Sequence, residues 1–102
     1  MQIYKNHIDG DWVDAASGRV LDVINPATRE VIARVPDSGA ADVDRAVQAA
    51  RRAFDRDGWP QTTARERGRI LFRLAEYVRR HARRFAEIET TNNGKQIGRA
   101  HV

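Results

Sequence analysis

As far as Pro36 this chain consists of short β-branched runs separated by turn-forming dipeptides. From there to about Glu89 its only periodicity is helical. That order, strands first and helices after, predicts an α/β segment with no internal repeat. Asp9-Gly10 readily takes the positive φ angles of a type I′ turn, so residues 4–8 and 11–13 are expected to pair as a first hairpin. Ile8 and Trp12 flank the turn and are expected to give that ribbon one face to bury. Beyond the small-residue connection Ala15-Ala16-Ser17-Gly18, residues 20–24 and 31–35 form a second pair of strands. Asn25-Pro26-Ala27-Thr28 joins them. Pro26 sets φ at the first central position, and the Asn25 side chain can accept from the backbone ahead of it.

The first helix is expected to start at a cap on Asp37 or Ser38, with Asp42 and Asp44 near its positive end. Val43, Ala46, Val47, Ala50 and Phe54 make its apolar stripe, and Gly58 and Pro60 stop it. A second helix opens at Thr63-Ala64-Arg65-Glu66, the spacing of a capping box. Its stripe of Ile70, Leu71, Leu74, Ala75, Val78, Ala82, Phe85 and Ile88 is long for one globular helix, which predicts a break near His81. Asn93-Gly94 then supplies a left-handed stop.

At 102 residues the chain is long enough to bury a core, and 41% hydrophobic with 31% charged residues is ordinary for a soluble protein. No apolar run approaches the roughly 18 residues that span a bilayer. Met1-Gln2-Ile3-Tyr4-Lys5 has no apolar stretch behind a basic one. The expectation is a cytoplasmic protein with no membrane partner. The absence of cysteine excludes a disulfide scaffold, a thiolate zinc site and a cysteine nucleophile within this stretch.

The net charge of +4 is uneven: residues 1–50 hold 5 basic and 8 acidic side chains, whereas residues 51–84 hold 11 arginines and 4 acids. A basic block of that kind suits either a nucleic-acid module or solvated helix faces. It lacks aromatics interleaved for base stacking, which favours solvated faces and no nucleic-acid partner. His7, His81 and His101 are too scattered for a local metal pair, and Asp9, Asp11 and Asp14 lack the closing glutamate of a calcium loop. Gly94 and Gly98 follow no strand and make no phosphate loop. Thr90 and Thr91 have no neighbouring base, and Trp12 and Trp59 read as packing anchors.

Six segments, in order, resemble the opening of the aldehyde dehydrogenase superfamily. They are Ile8-Asp9-Gly10-Asp11-Trp12-Val13; Asp22-Val23-Ile24-Asn25-Pro26-Ala27-Thr28; Asp42-Val43-Asp44-Arg45-Ala46-Val47 with Ala49-Ala50-Arg51 and Ala53-Phe54; Trp59; Arg65-Glu66-Arg67-Gly68-Arg69-Ile70-Leu71; and Glu89-Thr90-Thr91-Asn92-Asn93-Gly94-Lys95. The resemblance implies an incomplete portion of a Rossmann-like cofactor-binding domain, with N-terminal β-hairpins followed by two or three helices. It implies a full-length enzyme that oxidises an aldehyde to a carboxylic acid with NAD or NADP, through attack by a cysteine thiolate and hydrolysis by a glutamate-activated water. The family's catalytic cysteine, glutamate and asparagine and its dinucleotide-binding loops lie downstream, so no catalytic or cofactor-binding residue carries over. This stretch alone is expected to be inactive, and the full-length enzyme to be a homo-oligomer, dimer or tetramer. One site carries over: a structural monovalent cation on the backbone carbonyls of Val23 and Ile24.

The ending departs from the family pattern. Ile97-Gly98-Arg99-Ala100-His101-Val102 matches the translation of a common sequencing adapter, so residues 1–95 are expected to be the enzyme's and residues 96–102 a non-native tail. The nucleotide record decides that point.

Overall fold

A computed structural model describes residues 1–94; residues 96–102, with the adapter-like ending, lie outside the described residues. The chain divides into two units. One comprises residues 1–24 and 31–61, the other residues 25–30 and the chain from Thr62 on.

In the first unit, β2 (Asn6–Ile8) and β3 (Asp11–Val13) form the expected antiparallel hairpin. Asp9 at φ 53° and Gly10 at φ 81° make its two-residue turn. The register corrects one expectation. His7 lies opposite Trp12 and Ile8 opposite Asp11, so Ile8 and Trp12 stand on opposite faces of the ribbon. Ile8 and Val13 are half-buried together, whereas Trp12 is 67% exposed and meets the His7 ring, centroids 4.7 Å apart, edge to face. Trp12 is therefore no packing anchor in this chain.

β4 (Val20–Ile24) pairs antiparallel with β5 (Val31–Pro36), as expected. The ladder skips Ile32 between Val23↔Ala33 and Ile24↔Val31, a bulge beside the end of β4. The first strand was not foreseen. β1 (Gln2–Ile3) lies parallel to β5, giving the sheet order β1-β5-β4, and the Tyr4 N–H donates to the Arg34 carbonyl at 2.9 Å. The first hairpin consequently begins at Asn6 rather than Tyr4.

Helix α1 runs Ala40–Asp55, and its cap is Gly39 rather than Asp37 or Ser38. Glycine offers no side-chain acceptor, and the Asp42 carboxylate supplies one by reaching back to the Gly39 N–H at 2.9 Å. A 3₁₀ turn, Trp59–Gln61, closes the unit.

In the second unit, the turn after Asn25 is built as expected: the Asn25 Oδ1 accepts from the Ala27 N–H at 2.9 Å. Arg29 takes φ 64° and donates its N–H to the Asn25 carbonyl at 2.8 Å. Helix α2 (Ala64–Arg80) carries the full capping box, the Glu66 N–H donating to the Thr63 hydroxyl at 3.1 Å and the Thr63 N–H to the Glu66 carboxylate at 3.2 Å. The break falls at His81, at φ −110° and ψ 21°, and α3 (Ala82–Asn93) follows. The His81 Nδ1 is 2.9 Å from the Tyr77 carbonyl, which can only accept, so Nδ1 carries the proton. Gly94, at φ 75°, ends α3 by donating to the Thr90 carbonyl at 2.8 Å.

The expected core is missing. Among the described residues the buried apolar side chains are Ala15, Ala33 and Ala86, all one methyl group in size. The stripes of α1 and α2 are present but open: Val43 and Val47 are each 59% exposed and Leu71 is 64% exposed. No described helix is long and apolar enough to cross a membrane.

Candidate functional site

Chemistry needs titratable groups brought within reach of one another, and the described residues do not gather them. Among the described residues no three His, Asp or Glu side chains converge as metal ligands. His7 is occupied by Trp12 and His81 by Tyr77, whose rings stack with centroids 4.2 Å apart. Asp9 pairs with Arg52 at 3.0 Å and Asp14 with Lys5 at 3.8 Å, so these two acids serve as surface partners. Val23 and Ile24 close β4 beside the bulge, with Val23 half-buried and Ile24 51% exposed.

Two arrangements organise the first unit. In one, Ala46, Ala49, Ala50 and Ala53, at helical spacing on α1, form a groove with residues 7–10 of the hairpin. Alanine, with a single methyl group, permits that approach. The bulkier members of the α1 stripe, Val43, Val47 and Phe54, remain outside the groove.

The second arrangement is a carboxylate clamp. Asp42, only 4% exposed, accepts from the Gly39 N–H through Oδ2 and from the Ala16 N–H through Oδ1, both at 2.9 Å. It thereby caps α1 and fastens the loop between the two hairpins to that cap. The bond from Gly39 holds its pKa below the ordinary aspartate range, the bond from Ala16 adds to this, burial opposes both, and the Arg45 charge helps. Sequence reading placed Asp42 near the helix dipole but missed the clamp. The usable signal is an aspartate three residues after a glycine cap; its partner Ala16, 26 positions away, has no local signature.

The described residues thus supply structural braces. The model of the Aldehyde dehydrogenase family matches residues 12–102. The chain belongs to that family. Aldehyde dehydrogenase family 2 member B4, mitochondrial, from Arabidopsis thaliana is 48% identical over 88 residues, 86% of this chain and 16% of that protein. The crystal structure of an NAD-dependent aldehyde dehydrogenase from Sinorhizobium meliloti superposes with a TM-score of 0.93 at 39% identity, covering 97% of this chain and 20% of that one. A betaine aldehyde dehydrogenase from Staphylococcus aureus in complex with NAD+ gives 0.92 at 37% identity, covering 95% and 19%.

This aldehyde dehydrogenase chain thus spans about a fifth of the length of the relatives it matches. It corresponds to the N-terminal part of their Rossmann-like NAD-binding domain. That accounts for a well-formed local structure whose stripes have nothing against them.

Proposed function

We propose that this chain is the opening segment of an NAD-dependent aldehyde dehydrogenase, and that its task there is structural. The observation that carries this reading is the combination of a TM-score of 0.93 to an NAD-dependent relative with a described structure that buries only three alanines and one aspartate. The hairpins, the Asp42 clamp and the caps of α1 and α2 set helices whose apolar faces await the rest of the domain. The full-length enzyme oxidises an aldehyde to a carboxylic acid as a homo-oligomer, and NAD+, when bound, accepts the hydride. In this reading the described residues brace the domain and leave the dinucleotide and the aldehyde to the rest of the enzyme. The test is aldehyde-dependent NADH formation by the full-length enzyme and by residues 1–102 alone. Activity in the first and none in the second supports the reading; turnover by the second refutes it.

The carbonyls of Val23 and Ile24 are proposed to hold a structural monovalent cation. The resemblance to the family supports this reading, and the register shift between these two positions marks an irregular stretch of the ladder there. Melting of the full-length enzyme in potassium, in sodium and in a bulky organic cation tests this. Equal melting temperatures in all three would count against the site.

A further inference from the structure

An asparagine side chain loses its amide nitrogen when the backbone nitrogen of the next residue attacks its Cγ. The chain has four asparagines, and the residue after each decides how open that route is. Asn25 precedes Pro26, whose nitrogen has no proton to give up. Asn6 precedes His7 and Asn92 precedes Asn93, and a side chain on the attacking residue crowds the approach. Asn93 alone precedes a glycine, which has no Cβ in the way. The fold, however, occupies the nitrogen that would attack. Gly94, at φ 75°, donates its N–H to the Thr90 carbonyl at 2.8 Å and closes the last turn of α3. That nitrogen attacks as its conjugate base, and a proton held against a carbonyl oxygen is harder to remove. Asn93 is itself the last residue of α3, and the five-membered ring needs a ψ far from the helical value of about −42°. Both restraints lie within residues 90–94, so neither depends on what covers the helix.

We propose that Asn93 is a deamidation site whose gate is the C-terminal cap of α3. When the bond from Gly94 to the Thr90 carbonyl opens, the Gly94 nitrogen bonds to the Asn93 Cγ. The bond from Cγ to Nδ2 breaks, and ammonia leaves with the proton from the Gly94 amide. Water then opens the cyclic imide at either carbonyl. Opening at Cγ gives aspartate, and opening at the backbone carbonyl gives isoaspartate, with the chain running through the side chain. Either product puts a carboxylate at the negative end of α3, where charge of that sign disfavours the helix. Isoaspartate also adds one methylene to the chain between Thr90 and Gly94, so the original turn does not close again. The change falls where Gly94 lies close to Pro26: a Cβ there would stand 3.5 Å from the Pro26 ring. A transient opening of one helix turn is thereby turned into a lasting one.

The proposal is independent of the catalytic reading because its readout is mass. The full-length enzyme is incubated at mildly alkaline pH, native and unfolded in urea, and the gain of one mass unit at Asn93 is followed by peptide mapping. Exchange of the Gly94 amide with heavy water is measured on the native sample. The unfolded enzyme is expected to deamidate at Asn93 ahead of its other asparagines. The native enzyme should do so more slowly by about tenfold or more, and by at least the factor by which the fold slows exchange at Gly94. Equal rates in the two states, a native slowing smaller than that of exchange, or no mass gain at Asn93 in the unfolded enzyme would each overturn the proposal.

Discussion

Asp42 does the most of any single side chain, because one carboxylate serves two segments distant in sequence. Asp42→Asn keeps the size but replaces one acceptor oxygen with a donor, which cannot serve an N–H. Amide hydrogen exchange at Ala16 or Gly39 is therefore expected to accelerate, and the full-length enzyme to melt earlier at neutral pH. The depressed pKa sets the sign of the pH dependence: the clamp is fully present above the ordinary aspartate range, around pH 4, and is lost as pH falls through the lower folded value. The difference between wild type and variant should close on that acid side; a difference independent of pH would refute the charge-based account. Gly94 is the other position with a sharp expectation. A Cβ there would meet the Pro26 ring at 3.5 Å, an ordinary contact, so Gly94→Ala costs about 1 kcal/mol through its φ of 75° rather than through a clash. Thermal melting measures this. Both Asp9-Gly10 and Asn93-Gly94 were legible as turn signals because their chemistry is local; the clamp on Ala16 was not.

The elements divide along the same line. Both hairpins, the capping box at Thr63 and the break at His81 were readable, because each is set by residues within a few positions of one another. The parallel pairing of β1 with β5 joins positions 31 residues apart and rests on backbone groups that every residue carries, so Gln2 and Ile3 gave no sign of it. The faces of the first hairpin were misjudged because Ile8 and Trp12 were grouped by nearness to the turn rather than by pairing. At α2, Thr63→Ala removes the acceptor for the Glu66 N–H and is expected to destabilise the helix start by about 1 kcal/mol. Thr63→Ser should restore most of that loss, since serine presents the same hydroxyl. Equal melting temperatures for the alanine variant and wild type would refute a role for the cap.

For the whole molecule, the composition promised a core that the described structure lacks. A hydrophobic fraction of 41% suits a soluble domain, but Val43, Val47, Phe54, Leu71 and Leu74 all stand more than half exposed. Composition counts apolar residues without saying what will cover them, and a helical stripe looks the same whether its partner lies in the same segment or hundreds of residues downstream. Of the arrangements in the first unit, the helix that carries Asp42 and the alanines was legible, and the reach of Asp42 to Ala16 was not. What the structure adds is the set of braces that orient the two open stripes. The isolated 102-residue chain is expected to bind a dye specific for exposed apolar surface and to unfold without a sharp transition, while the full-length enzyme does neither. The measurement closest to the central claim is aldehyde-dependent reduction of NAD+ by the two polypeptides side by side. NADH formation by the full-length enzyme and none by the isolated chain is the predicted result; NADH formation by the isolated chain would contradict the account.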